Sequence, residues 1–194
     1  MTKNAYKAFT VVVTVLFSII TILYLVDTIR DLTNVNWDLP ARFVTYFVLE
    51  TLLSFALPIC LGILNFFMYK DIFEEKNSFN TIGVALLVLF AYEIINGILV
   101  MAFLEVASYA PFWLPVVFST FGISFLVLAK FATTLDVKSR QGMFAASTVF
   151  GIANAIVYFV YDFELAIAIY VFLLLLYLGI LVFSIAAMLT KKRK

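Results

Sequence analysis

Six long apolar runs, separated by short polar stretches, dominate the chain. They cover approximately residues 9–26, 43–69, 82–105, 112–132, 143–161 and 165–189. Each run is near or above the roughly 17–25 residues that a helix needs to cross a bilayer. None alternates apolar and polar positions as a half-exposed β-strand does. The pattern therefore predicts one domain over residues 1–194 with six transmembrane helices.

The polar stretches between the runs differ in length, and this predicts how the helices connect. The stretches 107–111 and 162–164 are short, so helices 3 and 4, and helices 5 and 6, should form tight antiparallel hairpins. A longer linker, 27–42, separates the first two helices. The second run is long enough to tilt, or to bend near Pro58, which lacks a backbone donor. The expected fold is an all-α, polytopic membrane protein of three antiparallel hairpins.

Composition agrees with a membrane environment. The 194 residues are 65% hydrophobic and only 13% charged, against about 45–50% and about 25% in soluble domains. A small protein cannot hide that much apolar surface in water, because its ratio of surface to volume is high. The lipid bilayer is therefore the expected partner. The net charge of +1 gives no reason to expect nucleic acid.

The basic residues predict the orientation in the membrane. If the chain crosses six times, eleven of its thirteen basic residues fall on one side, and only Arg30 and Arg42 fall on the other. The eleven are Lys3, Lys7, Lys70, Lys76, Lys130, Lys138, Arg140, Lys191, Lys192, Arg193 and Lys194. Short loops rich in Lys and Arg stay cytoplasmic. We therefore expect a plasma-membrane protein with both termini in the cytoplasm.

Acidic residues gather at the opposite, outer side. They are Asp27, Asp31, Asp38, Glu105, Asp162 and Glu164. One interpretation is a vestibule that attracts cations. The simpler interpretation, which the sequence favours, is that the outer side tolerates acidic residues while basic ones are retained inside.

The residue types exclude several kinds of chemistry. The chain has no histidine and one cysteine, Cys60, so the commonest metal ligand and general base are missing. Motifs of metalloproteases, serine hydrolases and nucleotide-binding loops are absent from the sequence. We therefore expect neither enzymatic activity, nor a metal, nor a cofactor.

The polar residues inside the predicted spans are the candidate functional residues. Glu93 lies near the midpoint of the third helix, where an ionised carboxylate costs at least about 2.5 kcal/mol. It must be protonated, paired, or in contact with water. Asn96 and Gly97 share its helix face, and Gly97 should leave room beside them. We expect a substrate, ion or proton site centred on Glu93, with Asn96 beside it.

Two further residues are the expected helpers of Glu93. Glu50 lies in the second helix, nearer the surface, where it has Arg42 or water as candidate partners. Asn154 belongs to a polar stripe of the fifth helix, which comprises Ser147, Gly151, Asn154, Tyr158 and Asp162. The alternative for Asn65, Asn96 and Asn154 is purely structural: such residues hydrogen-bond between helices, each contributing about 0.6 kcal/mol.

A faint internal repeat relates the three hairpins. Helices 1, 3 and 5 carry Thr21, Asn96 and Asn154 in similar contexts, and helices 2, 4 and 6 carry a glycine between apolar residues. The glycines would permit close helix packing, and Thr21, Asn96 and Asn154 would face a common axis. With this many Ile, Leu and Phe residues, chance similarity is the alternative.

Two function classes follow. The first is a small transporter, or a transport-system subunit, for a small solute or cation, which the intramembrane polar groups favour. The alternative is a non-catalytic accessory protein with an immunity, assembly or regulatory role, which the scarcity of those groups favours. Another membrane protein or a second copy of the chain is a candidate partner.

The predicted topology can be tested with reporter fusions. Fusions at Asn34, Tyr109 and Phe163 should report the outer side, and fusions at Asn77, Ser139 and the C-terminus the cytoplasm, because of the basic-residue bias. Alkaline phosphatase and fluorescent-protein reporters give opposite signals at each position. A cytoplasmic signal at Asn34 would contradict the topology.

Overall fold

A computed structural model describes residues 3–34, 40–74, 79–104, 110–132, 134–161 and 167–189. These ranges form α1 (Lys3–Asn34), α2 (Ala41–Phe73), α3 (Phe79–Leu104), α4 (Ala110–Phe131), α5 (Val137–Tyr161) and α6 (Ile167–Leu189). Within them, all six helices are long and apolar enough to cross a membrane. The all-helical fold with six helices suited to span a membrane is thereby confirmed.

Several charged residues discussed above lie outside the described residues. They are Asp38, Lys76, Glu105, Asp162, Glu164, Lys191, Lys192, Arg193 and Lys194. The orientation of the termini therefore stays a prediction from the sequence.

The helices extend beyond the apolar runs. The linker predicted at 27–42 is wrong for residues 27–34, because α1 continues to Asn34. Local contacts support this polar turn: Thr28 Oγ1 donates to the carbonyl of Tyr24 at 2.8 Å, and Arg30 lies 3.4 Å from Asp27. Hydropathy marks the part of a helix that suits lipid, whereas the helix itself requires only satisfied backbone groups. The α2 helix is also continuous through Pro58, and the bend expected there stays a prediction.

The six helices form a closed ring. Each helix packs against its neighbours in the chain, and α1 also packs against α6. Contacts at the closure join the beginning of α1 to the end of α6, where the Phe9 and Phe183 rings stack with centroids 3.6 Å apart. Because α2 packs on α3 and α4 on α5 as well, the packing does not single out three hairpins, and that grouping stays a prediction.

The ring has an apolar interior and apolar outer faces. Fully buried side chains such as Phe17, Phe90 and Ile180 fill the interior from α1, α3 and α6. On the outside, Phe66 on α2 is 68% exposed and Phe131 on α4 is 66% exposed. Exposed apolar faces on every side are stable in lipid and unfavourable in water.

The junction between α4 and α5 is fixed by polar contacts. The backbone N–H of Ser139 donates to Asp136 Oδ1 at 3.0 Å, which makes Asp136 the N-cap of α5. Hydrogen bonds from the Ser139 side chain and, second, from its backbone N–H hold the pKa of Asp136 below its usual value. The Arg140 side chain donates to the carbonyl of Ala132 at the end of α4, at 3.2 Å. The start of α5 is thus held in place, and α5 carries two of the residues discussed below.

Two glycines allow close approach between neighbouring helices. A Cβ atom at Gly97 of α3 would overlap Val116 of α4 and lie 3.1 Å from the carbonyl oxygen of Phe112. A Cβ at Gly151 of α5 would overlap the Tyr177 ring of α6. The room expected beside Gly97 is therefore not free, because α4 fills it.

The glycines of the suggested repeat do not act alike. Gly122 packs against the Phe90 ring, whereas a Cβ at Gly62 or Gly179 would meet nothing within 4 Å. The expectation that all three permit close packing is wrong for Gly62 and Gly179. Similar sequence contexts did not produce equivalent packing, because helix rotation within the ring decides which face meets a neighbour.

We expect Gly97→Ala to destabilise the protein and Gly179→Ala to be neutral or slightly stabilising. The first forces α3 and α4 apart, at a cost of about 1–3 kcal/mol. The second adds helix propensity without a clash, up to about 1 kcal/mol. Unfolding in mixed micelles gives both values. Equal stability of the two variants would contradict the packing at Gly97.

Candidate functional site

Glu93 lies inside the ring, close to the middle of the 26-residue α3. Only 7% of the residue is exposed. The hydroxyl of Tyr158, on α5, donates a hydrogen bond of 2.5 Å to Glu93 Oε2. The two residues are 65 positions apart in the chain, so this contact exists only because α3 and α5 face each other across the ring interior.

Tyrosines from four helices surround this carboxyl group. We call Tyr24, Tyr92, Tyr158, Tyr170 and Tyr177 the tyrosine cluster. Tyr158 of α5 hydrogen-bonds to Glu93, and Tyr24 of α1 and Tyr177 of α6 lie within electrostatic range of it. The Tyr24 and Tyr92 rings meet edge to face with centroids 5.7 Å apart, and those of Tyr158 and Tyr170 stack at 5.1 Å. Glu93 is therefore buried in a part of the ring that is rich in tyrosine side chains.

No basic side chain balances Glu93 in the part of the chain that the structure describes. Among the described residues, its carboxyl group accepts a hydrogen bond from the Tyr158 hydroxyl and forms no ion pair with a basic side chain. The ion pairs in these ranges, Arg30 with Asp27 and Lys70 with Glu74, lie at helix ends. An ionised carboxylate in this position requires a counter-charge, because a low-dielectric interior strongly disfavours an isolated ion.

Asn96 lies three residues after Glu93, on the same side of α3. Its Oδ1 atom is buried and accepts no hydrogen bond. A buried amide oxygen without a donor costs about 1–3 kcal/mol. Asn96 thus has a buried acceptor that a hydrogen-bond donor would satisfy, and its role beside Glu93 stays a prediction.

Asn154 is 4% exposed, one turn before Tyr158 on α5. Its Nδ2 atom donates to Ser119 Oγ of α4 at 2.6 Å, and its Oδ1 is buried without a partner. Among the described residues, no hydrogen bond joins Asn154 to Glu93. The contact with Ser119 is the interhelical hydrogen bond that the structural alternative expects.

Asn65 forms a second interhelical hydrogen bond. Its Nδ2 donates to Thr21 Oγ1 of α1 at 3.0 Å, while Thr21 itself donates to the carbonyl of Phe17 at 2.7 Å. No hydrogen bond among the described residues joins Thr21, Asn96 and Asn154. These three residues therefore do not form a hydrogen-bonded site around a common axis.

Glu50 is half-buried on α2, away from Glu93. Its carboxyl interacts with the Tyr46 hydroxyl one turn earlier and with Asp31 of α1. Tyr92 interacts with both Glu50 and Glu93 and contacts Ser54 of α2. Arg42 donates to the carbonyl of Ala102 at the end of α3. Tyr92 thus connects the two acidic residues that the sequence placed in one site.

The tyrosine cluster is the part of the site that the sequence analysis missed, apart from Tyr158 in the α5 stripe. A signal was available, since the chain has ten tyrosines and several lie well inside apolar runs. Membrane tyrosines usually lie near the lipid headgroups. A tyrosine deep in a span needs a polar partner, and Glu93 is the acidic group at that depth.

No protein-family model, curated protein or solved structure matches this chain. The proposals below therefore draw on the residues and geometry of this chain.

A double-mutant cycle tests whether the hydrogen bond between Asn154 and Ser119 stabilises the packing of α4 against α5. We expect Asn154→Ala and Ser119→Ala to show a coupling energy of about 0.6 kcal/mol, and at most about 1.7 kcal/mol, as for other intramembrane hydrogen bonds. Unfolding of the four proteins in mixed micelles measures it. Strictly additive effects would show that the Asn154–Ser119 contact contributes nothing.

Proposed function

We propose that this protein is a small integral membrane transporter, or the membrane subunit of a transport system, in which Glu93 binds and releases a proton or a cationic solute. The observation that carries the proposal is the burial of Glu93 inside the helix ring without a basic neighbour in the described residues. Buried ionisable groups in transmembrane helices commonly mark ion, proton or substrate pathways.

A purely structural role explains Glu93 less well. Its hydrogen bond with Tyr158 joins α3 to α5, but intramembrane hydrogen bonds contribute only about 0.6 kcal/mol on average. Placing a carboxyl group at mid-membrane costs several times that amount when it is charged. An amide would provide the same hydrogen bond without this cost, so a need for reversible charge favours a carboxyl group.

The two ends of the ring differ in a way that suits transport. At the end where α3 and α5 begin, Phe79 lies 4.6 Å from Phe144 and 6.3 Å from Phe183, between ring centroids. These contacts join α3, α5 and α6 across the interior and close it with apolar rings. Toward the other end lie Glu50, Tyr46 and Asp31, which are polar. A ring that is closed by apolar side chains at one end and is polar at the other suits a protein that takes up its substrate from one side.

The proposed orientation assigns these ends to the two sides of the plasma membrane. With both termini in the cytoplasm, as the basic residues predict, the aromatic closure faces the cytoplasm. Glu50 and Asp31 then lie between Glu93 and the outside. The arrangement described here would be the outward-loading state of three antiparallel hairpins.

Glu93→Gln is the central test of the proposal. The amide resembles a protonated acid, so we expect normal expression and a melting temperature within about 2 °C of wild type, whereas a change of 1 kcal/mol shifts it by about 2–4 °C. Reconstituted in liposomes with an internal pH dye and an imposed potential, wild-type protein should move protons, alone or with an added cation. The variant should lose at least about 90% of that flux. This loss corresponds to an increase of about 1.4 kcal/mol in the activation free energy.

Two further variants sharpen this test. Glu74→Gln, at the exposed end of α2, is the matched control and should keep wild-type flux. Glu93→Leu should be inactive but at least as stable as wild type, since it removes a buried ionisable group. Unchanged flux and pH profile in Glu93→Gln would exclude Glu93 as the coupling residue. Absent flux in wild type, with a second membrane protein co-purifying, would instead support the accessory role.

A further inference from the structure

The aromatic rings around Glu93 define the shape of the proposed site. Tyr24 with Tyr92, and Tyr158 with Tyr170, form two ring pairs from α1, α3, α5 and α6. Tyr158 of the second pair donates a hydrogen bond to the Glu93 carboxyl, and Tyr24 of the first pair lies within electrostatic range of it. The Tyr177 ring stacks on Phe90 at 6.1 Å and also interacts with Glu93. A single carboxyl group is thus combined with several aromatic surfaces.

This combination suits a particular class of cation. Divalent and transition-metal ions need several oxygen, nitrogen or sulfur ligands, and the described residues contain no group of three His, Cys, Asp or Glu side chains. Organic ammonium ions need one counter-charge and are further attracted by the faces of aromatic rings. The environment of Glu93 provides both.

On the basis of the function proposed above, we propose that the ligand of Glu93 is a protonated organic amine. Its positive charge pairs with the Glu93 carboxylate, and its carbon atoms lie against the tyrosine cluster. One ammonium N–H bonds to Glu93, and another bonds to Asn96 Oδ1, the buried acceptor that has no donor in the free protein. The bound amine also supplies the counter-charge that Glu93 lacks.

The access route follows from the acidic and phenolic groups on α1, α2 and α3. Asp31 lies within electrostatic range of Glu50, the Tyr46 hydroxyl hydrogen-bonds to Glu50, and Tyr92, next to Glu93, hydrogen-bonds to Ser54 one turn after Glu50. Negative charge along such a route concentrates cations and accelerates their association. The amine therefore enters from the end of the ring where α1 ends and α2 begins, and Glu50 guides it without binding it permanently.

Binding of matched probes to the purified full chain in lipid nanodiscs tests this inference. The probes are benzylammonium, benzyltrimethylammonium, which has no N–H, benzyl alcohol, which has no charge, and sodium ion. We expect benzylammonium to bind at least tenfold more tightly than each of the others by calorimetry. Glu93→Gln should weaken benzylammonium at least tenfold, while Glu74→Gln should leave its affinity unchanged.

Variants of the tyrosine cluster distinguish the contribution of the aromatic ring to binding from that of the hydroxyl group. Tyr24→Leu should weaken benzylammonium by about threefold to tenfold, whereas Tyr24→Phe, which keeps the aromatic face, should retain most of the affinity. Melting temperatures of all variants show whether each is folded. If Tyr24→Leu fails to fold, the same pair of substitutions at Tyr170, whose ring stacks on Tyr158, provides the comparison. Equal effects of Leu and Phe in folded variants would overturn the role of the rings.

The outcomes distinguish this inference from the proposed function. If benzyl alcohol or sodium binds as tightly as benzylammonium, or Glu93→Gln binds it normally, the ammonium inference is overturned. Tighter binding of benzyltrimethylammonium would overturn the role of the N–H groups and Asn96. Glu93-dependent proton flux without binding of any ammonium probe would overturn this inference and leave the proposed function standing. Absence of both flux and binding in wild type would overturn both.

Discussion

The burial of one carboxyl group inside a largely apolar helix ring is the constraint on which the rest of the site depends. Glu93 lies near the middle of α3 and is almost fully enclosed. Its charge has to be neutralised by a proton or by a cation, because the described part of the chain supplies no basic partner. The Tyr158 hydrogen bond fixes the position of the carboxyl group, and the tyrosine cluster isolates it from lipid. Closure of the ring between α1 and α6 makes that enclosure complete.

The polar contacts elsewhere in the ring differ from Glu93 in kind. The Asn65–Thr21 and Asn154–Ser119 hydrogen bonds each join one pair of neighbouring helices and involve neutral groups. Neutral groups contribute modestly to helix association and require no exchange of charge. The threonines of α1 mostly bond to carbonyl groups one turn back, as Thr14 does to Thr10 at 2.7 Å. The two interhelical hydrogen bonds stabilise the bundle. Glu93 differs from all of these residues because its side chain can carry a charge.

Packing explains why the two ends of the ring have different character. Near one end the aromatic rings of Phe79, Phe144 and Phe183 meet across the interior. Farther along, Gly97 and Gly151 let α3 approach α4 and α5 approach α6. At the depth of Glu93 the interior is filled by tyrosines, whose hydroxyl groups require polar partners. The interior therefore changes from apolar to polar along the axis of the ring.

The apolar runs by themselves determined the number and type of the helices, because the thickness of a bilayer sets the length of apolar sequence that crosses it. The apolar runs did not predict the polar ends of the helices, such as residues 27–34 of α1. A helix continues wherever its backbone N–H and C=O groups are hydrogen-bonded, whether or not its side chains are apolar. The free-energy cost of placing a carboxylate at mid-membrane marked Glu93 as a candidate functional residue from its position in the sequence alone. Only the tertiary structure decided its surroundings: Tyr24, Tyr158 and Tyr177 come from distant helices, and helix rotation about the ring axis cannot be read from an apolar run. For the same reason Gly62, Gly122 and Gly179 look equivalent in sequence and are not equivalent in the fold.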